Sequence, residues 1–297
     1  MKVFITGASG YVGGSVATRL VEQGHDVVGL VRTSEKAAML EARGIEPLIG
    51  TLESAEALEA GALQCDATIN AANSDHFFAA RVLIDALTGT GKTLIHTSGS
   101  SIVCDDAGGK CSTNKIFDDD ARFTPRSHRA PRVEIDRMVR EAGIRKGIRS
   151  SVICPTMIYG RGLGIQPESD QLPKLFAKSR ELNAGVYIGK GASTWSNVYI
   201  GDVADLYSLV LEKAPSASFY FAENGEATFR EIAEAISGSL GFDGRTIAWD
   251  YNDAVAELGA FARIALATNA RVRSKNARLL GWEPKGPSLR DALLAGK

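Results

Sequence analysis

The sequence lacks the features of several large classes of protein. It has no run of about 18 apolar residues, so we expect no membrane-spanning helix. It has no arginine-rich tract and a net charge of −1, so we expect no nucleic-acid partner. Met1 leads straight into a strand pattern, without the apolar stretch of a secretory signal. These absences favour a cytoplasmic protein.

Cysteine is scarce as well. The four cysteines, at positions 65, 104, 111 and 154, match neither a metal-binding spacing nor a C-x-x-C redox pair. We therefore expect reduced thiols and no bound metal, as is usual in the cytosol. Cys104 and Cys111 could pair if the loop between them is tight.

Short apolar runs and helical patterns alternate over the first half of the chain. Strands are predicted at 2–6, 26–32, 46–49, 67–71, 93–98 and 149–154. Helices are predicted between them at 11–23, 34–43, 54–60, 75–88 and 128–143. This alternation predicts an α/β fold, a Rossmann-type doubly wound parallel sheet with right-handed crossovers and a smaller C-terminal substrate lobe.

The second half is less regular, with short elements predicted at 172–182, 186–188, 203–212 and 229–240. We predict a single domain over 1–297. Its Rossmann core covers about 1–155 plus 195–215, and its substrate-binding lobe about 156–194 and 216–297. Residues 104–126 are predicted to form a long surface loop, and the acidic run at 118–120 is typical of a solvated segment.

The sharpest motif is T-G-A-S-G-Y-V-G at residues 6–13, which follows a predicted strand and opens a predicted helix. That context is the one the dinucleotide fingerprint requires. Glycines allow a tight turn and a close approach of pyrophosphate, and the helix N-terminus attracts its charge. The predicted cofactor contacts in this turn are Thr6, Gly7, Ser9, Gly10, Tyr11, Val12 and Gly13.

The end of the second strand indicates which dinucleotide binds. NAD-binding turns place a carboxylate there, on the ribose 2′-hydroxyl. This chain has Arg32 instead, followed by Ser34 and Lys36. A guanidinium suits a 2′-phosphate, so we predict NADP(H), with NAD(H) less favoured.

Beyond this turn, five motifs occur in the order typical of the short-chain dehydrogenase/reductase superfamily, in its extended and atypical, NAD-dependent epimerase/dehydratase-like branches. They are N-A-A at 70–72, H-T-S-G-S-S at 96–101, P-T-M-I-Y-G at 155–160, W-S-N-V-Y-I-G-D-V-A at 195–204, and S-K-N with L-G-W-E-P and S-L between 274 and 289. The chain resembles that superfamily over nearly its whole length. The resemblance implies further cofactor contacts at Leu52, Asn70, Ala71, Ala72 and Pro155.

The resemblance fails at the catalytic pair of the superfamily, Y-x-x-x-K. No tyrosine here has lysine four residues later, and no tyrosine lies between Tyr11 and Tyr159. His128 and Arg132 stand where the tyrosine and lysine belong. Histidine is a competent acid–base group near neutral pH, whereas arginine stays charged and relays protons poorly. His128 either replaces the tyrosine or begins the helix without a chemical role.

Three other hydroxyl groups are candidates for catalysis. The resemblance places the active-site serine or threonine of the superfamily near residues 98–101, so Ser98 and Ser100 are both candidates. Tyr159 is a candidate acid, or else packs against the cofactor. The full set of predicted catalytic residues is His128, Arg132, Ser98, Ser100 and Tyr159.

These residues favour an NADP(H)-dependent oxidoreductase that acts on a carbonyl or hydroxyl group of a small organic molecule. Two alternatives remain open: an epimerase or dehydratase without net redox change, and a catalytically altered NADP(H)-binding sensor or scaffold. The superfamily often dimerises through the helices that correspond to 75–88 and 128–143, so the resemblance also implies a homodimer.

Overall fold

A seven-stranded parallel sheet forms the centre of the computed structural model, which describes residues 1–295. Its strands are β1 (Lys2–Thr6), β2 (Asp26–Val31), β3 (Ile45–Ile49), β4 (Ala67–Asn70), β5 (Thr93–Thr97), β7 (Arg149–Pro155) and β11 (Ser218–Ala222). Their spatial order is β11-β7-β5-β4-β1-β2-β3, and every pair is parallel. This confirms the doubly wound α/β fold. The order reverses between β1 and β4, which is where such sheets bind ligands.

Helices cover both faces of this sheet. They are α1 (Tyr11–Glu22), α2 (Ser34–Glu41), α3 (Ala55–Gln64), α4 (Phe77–Leu87), α5 (Ala130–Arg145), α6 (Gln171–Leu182), α7 (Ile200–Lys213), α8 (Phe229–Ser239), α9 (Tyr251–Leu258), α10 (Lys275–Leu279) and α11 (Leu289–Leu294), with a 3₁₀ turn at Ser100–Val103 and a π turn at Ala262–Leu266. Since β1 alternates its side chains, Phe4 joins one hydrophobic core, with α3, α4 and α5, while Val3 and Ile5 join the other, with α1 and α7. No described helix is long and apolar enough to cross a bilayer.

Three small sheets lie beside the main one. Strands β8 (Met157–Tyr159), β10 (Thr194–Tyr199) and β12 (Glu226–Thr228) form the first, β9 (Gly185–Ile188) and β13 (Thr246–Trp249) the second, and β6 (Phe117–Asp118) and β14 (Val272–Arg273) the third. The predicted division of the chain therefore changes at two places. Residues 218–222, predicted in the lobe, belong to the main sheet, and residues 195–199, predicted in the core, pair outside it.

The segment 104–126 is more ordered than a surface loop, and its acidic run is not simply solvated. Asp119 is buried, and its carboxylate accepts hydrogen bonds from the backbone N–H groups of Phe221 and Asn276. Burial raises the pKa of Asp119 to about 6, although these bonds favour the charged form. Only its neighbour Asp120 behaves as expected, as an exposed partner of Lys275. The S-K-N motif at 274–276 thus holds this segment against β11.

Candidate cofactor and catalytic site

A cleft of about 920 Å³ opens at the carboxyl ends of β1, β2, β3 and β4. It lies where the strand order reverses, the place at which doubly wound sheets bind dinucleotides. Of the predicted cofactor residues, ten line it: Gly7, Ser9, Gly10, Tyr11, Val12, Arg32, Lys36, Leu52, Ala71 and Ala72. Five do not: Thr6, Gly13, Ser34, Asn70 and Pro155.

Two glycines of the 6–13 turn are required by close backbone contacts. Gly7 has φ +74°, and a Cβ atom there would lie 2.8 Å from Cα of Ala72. A Cβ on Gly13 would lie 2.4 Å from the carbonyl oxygen of Gly7. Gly10 is different, since its Cβ would meet only that same oxygen, at 3.2 Å. Gly7 and Gly13 therefore bring strand and helix together, and Gly10 leaves the backbone open toward the cleft.

The N-terminus of α1 is free to bind an anion. Its N-cap, Gly10, provides no side-chain cap, and the first turn carries no acidic side chain. The hydroxyl of Tyr11 points elsewhere, donating to the carbonyl oxygen of Gly160 at 2.7 Å. First-turn N–H groups and the positive end of the helix dipole attract phosphate. The turn therefore fits the pyrophosphate of a dinucleotide.

Beyond the end of β2, Arg32 and Lys36 line the same cleft, beside Leu52. Neither cation forms an ion pair with any residue that the structure describes. Ser34 is exposed and lies outside the cleft lining. Thr33 begins α2, because its hydroxyl accepts from the backbone N–H of Lys36. This helix start holds Lys36 on the cleft side.

Thr6 and Asn70 lie beneath the cleft and hold its floor. The Thr6 hydroxyl donates to Oδ1 of Asn70 at 2.7 Å and accepts from the N–H of Ala71 at 3.1 Å. Both side chains are buried. Pro155 is also buried, paired with Ala222 in the main sheet, and the residue after it reaches the cleft.

A chain of buried polar side chains continues from Asn70 to α5. The Asn70 amide nitrogen lies 3.1 Å from Nδ1 of His96, so Nδ1 accepts and the imidazole proton is on Nε2. Nε2 faces Oδ1 of Asp136 at 3.8 Å, and neither atom has another partner. Ser98 donates its hydroxyl to the other oxygen of Asp136, at 2.6 Å. Ser98 is thus committed to a structural hydrogen bond.

His128 lies outside the helix that was expected to carry it. Helix α5 begins at Ala130, with Pro131 in its first turn, so His128 stands in the preceding turn and is exposed. The predicted start of this helix at residue 128 is therefore wrong by two residues, and His128 does not share a helical face with Arg132. Burial and the charge of Arg129 lower the pKa of His128.

Arg132, at the position of the family lysine, is held by Asp75. Its Nε and Nη2 donate to the two carboxylate oxygens of Asp75 at 2.8 and 2.6 Å. Its Nη1 donates to the hydroxyl of Ser101 at 3.3 Å. The side chain is only 15% exposed. Arg132 therefore forms a fixed ion pair near the carboxyl end of β5, and it cannot exchange a proton near neutral pH.

The remaining two candidates differ sharply. Ser100 is buried and its hydroxyl has no hydrogen-bond partner among the described residues. Tyr159 donates its hydroxyl to the carbonyl oxygen of Pro287 at 2.7 Å, and burial raises its pKa. Neither Ser100 nor Tyr159 lines the cleft, and His128 does not line it either. The contacts of Tyr159 join β8 to the C-terminal segment.

The far wall of the cleft, residues 160–171, was not predicted from the sequence. Gln166, Glu168 and Asp170 line it from that side. A Cβ atom on Gly164 would lie 2.6 Å from the carbonyl carbon of Gly14, so this wall packs directly on α1. The G-R-G-L-G spacing at 160–164 was the available signal, since closely spaced glycines indicate close backbone approach. No group of three or more metal-ligating side chains occurs among residues 1–295.

His96 and Asp136 are expected to oppose one another in the pH dependence of stability. Burial lowers the pKa of His96 from 6.5 to about 4. Between these two pH values His96 is protonated in the unfolded chain and neutral in the folded protein. This contribution makes the free energy of unfolding rise with pH across that window. Burial raises the pKa of Asp136 from 3.8 to about 7, so the folded chain holds its proton longer. That contribution falls as pH rises.

We therefore predict opposite changes in two variants. In His96→Gln only the contribution of Asp136 remains, so the free energy of unfolding falls more steeply as pH rises. In Asp136→Asn only the contribution of His96 remains, so the free energy of unfolding rises more steeply with pH. Urea denaturation between about pH 4 and 7 measures both slopes. The exposed Asp120→Asn is the control and keeps the wild-type slope. Slopes that change in the same direction in both variants contradict the prediction.

Comparison with known proteins agrees with this geometry. The profile of the NAD dependent epimerase/dehydratase family matches residues 3–220. A protein from an Acremonium species, named as an oxidase, is 30% identical, over 97% of this chain and 94% of its own. A ketoreductase from Stigmatella aurantiaca, named for the substrate 4-hydroxy-2-methyl-3-oxo-4-farnesyl-3,4-dihydroquinoline-1-oxide, is 26% identical, over 76% of this chain and 69% of its own.

Among solved structures, a dTDP-glucose 4,6-dehydratase from Bacillus anthracis in complex with NAD superposes with a TM-score of 0.78. The match covers 99% of this chain and 94% of the other, at 15% identity, and so shows the shared fold. The family match extends from β1 into β11 and takes in the glycine turn, the cleft and α5. The chain therefore belongs to the NAD-dependent epimerase/dehydratase family of the extended short-chain dehydrogenase/reductase superfamily.

Proposed function

We propose that this protein is an NADP(H)-dependent oxidoreductase that acts on a carbonyl or hydroxyl group of a small organic molecule. The observation that carries the cofactor choice is the pair Arg32 and Lys36, which line the cleft without an acidic partner. A ribose 2′-phosphate would supply the anion that both cations lack. The relative named as a ketoreductase supports the reaction type.

The residues fit distinct parts of the cofactor. Gly10 and the first turn of α1 would hold the pyrophosphate, and Arg32 with Lys36 the 2′-phosphate. When bound, the nicotinamide supplies or accepts the hydride. Thr156 and Ile158 line the cleft near the end of β7 and would bound the nicotinamide end. The substrate oxygen would then lie toward Ser100 and His128.

The proton donor is proposed among the polar groups that are not already committed. Ser98 donates to Asp136 and Tyr159 to Pro287, so neither hydroxyl is free. Ser100 has a buried hydroxyl without a partner, suited to hydrogen-bond a substrate oxygen. His128 is exposed, so its imidazole can exchange protons with solvent. We assign proton supply to His128 and oxygen binding to Ser100.

A cofactor-binding sensor is the second candidate. The observation that favours it is the ion pair of Arg132 with Asp75, which leaves the lysine position without a mobile proton. Such a protein would bind NADP(H) in the same cleft without turnover. An epimerase or dehydratase would instead retain its cofactor through purification and show no net consumption.

We also propose that the protein acts in the cytoplasm as a homodimer. Cys65, Cys104, Cys111 and Cys154 are all free thiols, which suits a reducing compartment. Helix α4 exposes 55% of Phe77 and 46% of Phe78. An apolar end of this kind is typical of a surface that pairs with a second copy.

The dimer predicts a defined response to mutation. Phe77→Ser with Phe78→Ser removes the apolar contact, so the sedimentation coefficient falls to that of a monomer. The control is Leu63→Ser, an equally exposed leucine of α3, which leaves the dimer intact. A wild-type protein that sediments as a monomer at micromolar concentration contradicts the proposal.

Arg32→Ala tests the cofactor assignment. Loss of a charge-assisted contact predicts NADPH binding weakened by about 10- to 100-fold, with NADH binding changed by less than about 3-fold. Fluorescence titration of the nicotinamide measures both. Arg81→Ala, an exposed arginine of α4 paired with Asp85, is the matched control. Equal losses for the two cofactors contradict the 2′-phosphate assignment.

The reaction is tested by NADPH oxidation across aldehydes, ketones, quinones and imines. His128→Ala is expected to lower turnover by about 100-fold or more, because the proton supply is lost. His25→Ala, at the opposite end of the sheet, is the control. Turnover retained in His128→Ala moves the role of proton donor to Ser100, the candidate whose hydroxyl has no partner. NADPH bound without turnover of any compound favours the sensor.

A further inference from the structure

Two arginines and one carboxylate lie together where α4 and α5 begin. This arginine cluster consists of Arg129, Arg132 and Asp75. Arg132 uses both carboxylate oxygens of Asp75 in a bidentate pair. Arg129 approaches the same carboxylate only to 4.0 Å, outside hydrogen-bond distance. The carboxylate of Asp75 therefore faces two guanidinium groups, and both of its oxygens are already bound by Arg132.

Arg129 has no hydrogen-bond partner for its side chain within residues 1–295. Its Nε is enclosed and unpaired, and its side chain is only 15% exposed. Burial and the neighbouring charge of Arg132 lower the pKa of Arg129, although the charge of Asp75 opposes this. A guanidinium remains protonated, and the enclosed Nε–H of Arg129 is left without an acceptor among the described residues. A buried donor without a partner is uncommon in folded proteins, and an acceptor on a bound ligand would complete it.

Nearby charges do not supply the missing anion. Asp106 is paired with Arg126 at 3.0 Å. Asp105 is used by the backbone and side chain of Asn269. Arg263 adds a further positive charge near His128, the residue next to Arg129 in the chain. The surroundings of Arg129 are thus positive overall.

The cluster borders the proposed cofactor cleft. Asn73 and His76 both line the cleft, and Asp75 lies between them in the same turn. On its other side the cluster reaches Ser101, just after β5, through Arg132. Arg129 therefore lies at the carboxyl ends of β4 and β5, where a substrate would meet the nicotinamide.

We propose that Arg129 binds a carboxylate of the substrate, so that the substrate class is an oxo acid or hydroxy acid. The planar fork of a guanidinium matches the two oxygens of a carboxylate. This inference rests on the proposed function, because it places the carboxylate beside the carbonyl that is reduced. A single fork bound to one planar anion favours a carboxylate over a phosphate, whose larger charge is usually met by several donors.

The test is calorimetric titration of the protein loaded with NADP⁺. The probes are benzoate, acetoacetate, benzamide and inorganic phosphate. Wild-type protein is expected to bind at least one carboxylate about 10-fold or more tightly than benzamide. Arg129→Gln is expected to remove that preference and to leave benzamide unchanged. Arg126→Gln is the matched control, since Arg126 is half exposed and paired with Asp106.

Three results of the titration would contradict carboxylate binding by Arg129. Carboxylate binding unchanged in Arg129→Gln, no carboxylate bound by the wild type, or phosphate bound more tightly than either acid each overturns it. Arg129→Lys keeps the charge without the fork and is expected to bind with intermediate affinity, which guards against a folding defect in the glutamine variant. If NADP⁺ itself does not bind, the proposed function fails, and the same titrations without cofactor still decide the role of Arg129.

Discussion

The structure depends on the contact between the first strand and the first helix, where no side chain fits. Gly7 lies against the backbone of Ala71 and Ala72, and Gly13 lies against the carbonyl of Gly7. This contact fixes β1, β4 and α1 as one rigid unit. The far wall of the cleft is attached to the same unit, because Gly164 packs on Gly14. The floor of the cleft, the N-terminus of α1 and the facing wall therefore belong to one rigid unit.

The sequence predicted the parts of the fold that local patterns determine. Apolar runs identified the first six strands of the main sheet, and the 6–13 motif located its ligand-binding edge. It could not predict the short strands β8, β12 and β13, since pairs of three or four residues form only when distant segments meet. The burial of Asp119 was missed for the same reason. Its partners lie at 221 and 276, and an acidic run carries no local sign of them.

The candidate site divides in a similar way. The glycine turn depends on close backbone contacts, so its position at the edge of the cleft could be predicted from the sequence. The catalytic side depends on which hydroxyl has a partner, and only the structure distinguishes Ser98, bound to Asp136, from Ser100, which is unpaired. The position of His128 before α5, and not within it, could have been predicted from the proline at position 131. Pro131 favours the first turn of a helix, so a start near residue 130 was predictable.

Strand β11, at the edge of the main sheet, is held by residues that lie far from it in the chain. The strand is held on its outer side by Asp119, from 102 residues before Phe221, and by Asn276, from 57 residues after Phe219. Until the ribosome has released residue 276, the edge of the sheet is open and the buried Asp119 lacks one of its two donors. The segment at 274–276 must therefore be in place before the outer edge of the sheet is complete. The C-terminal segment thus stabilises the outer edge of the same sheet that carries the cleft at its centre.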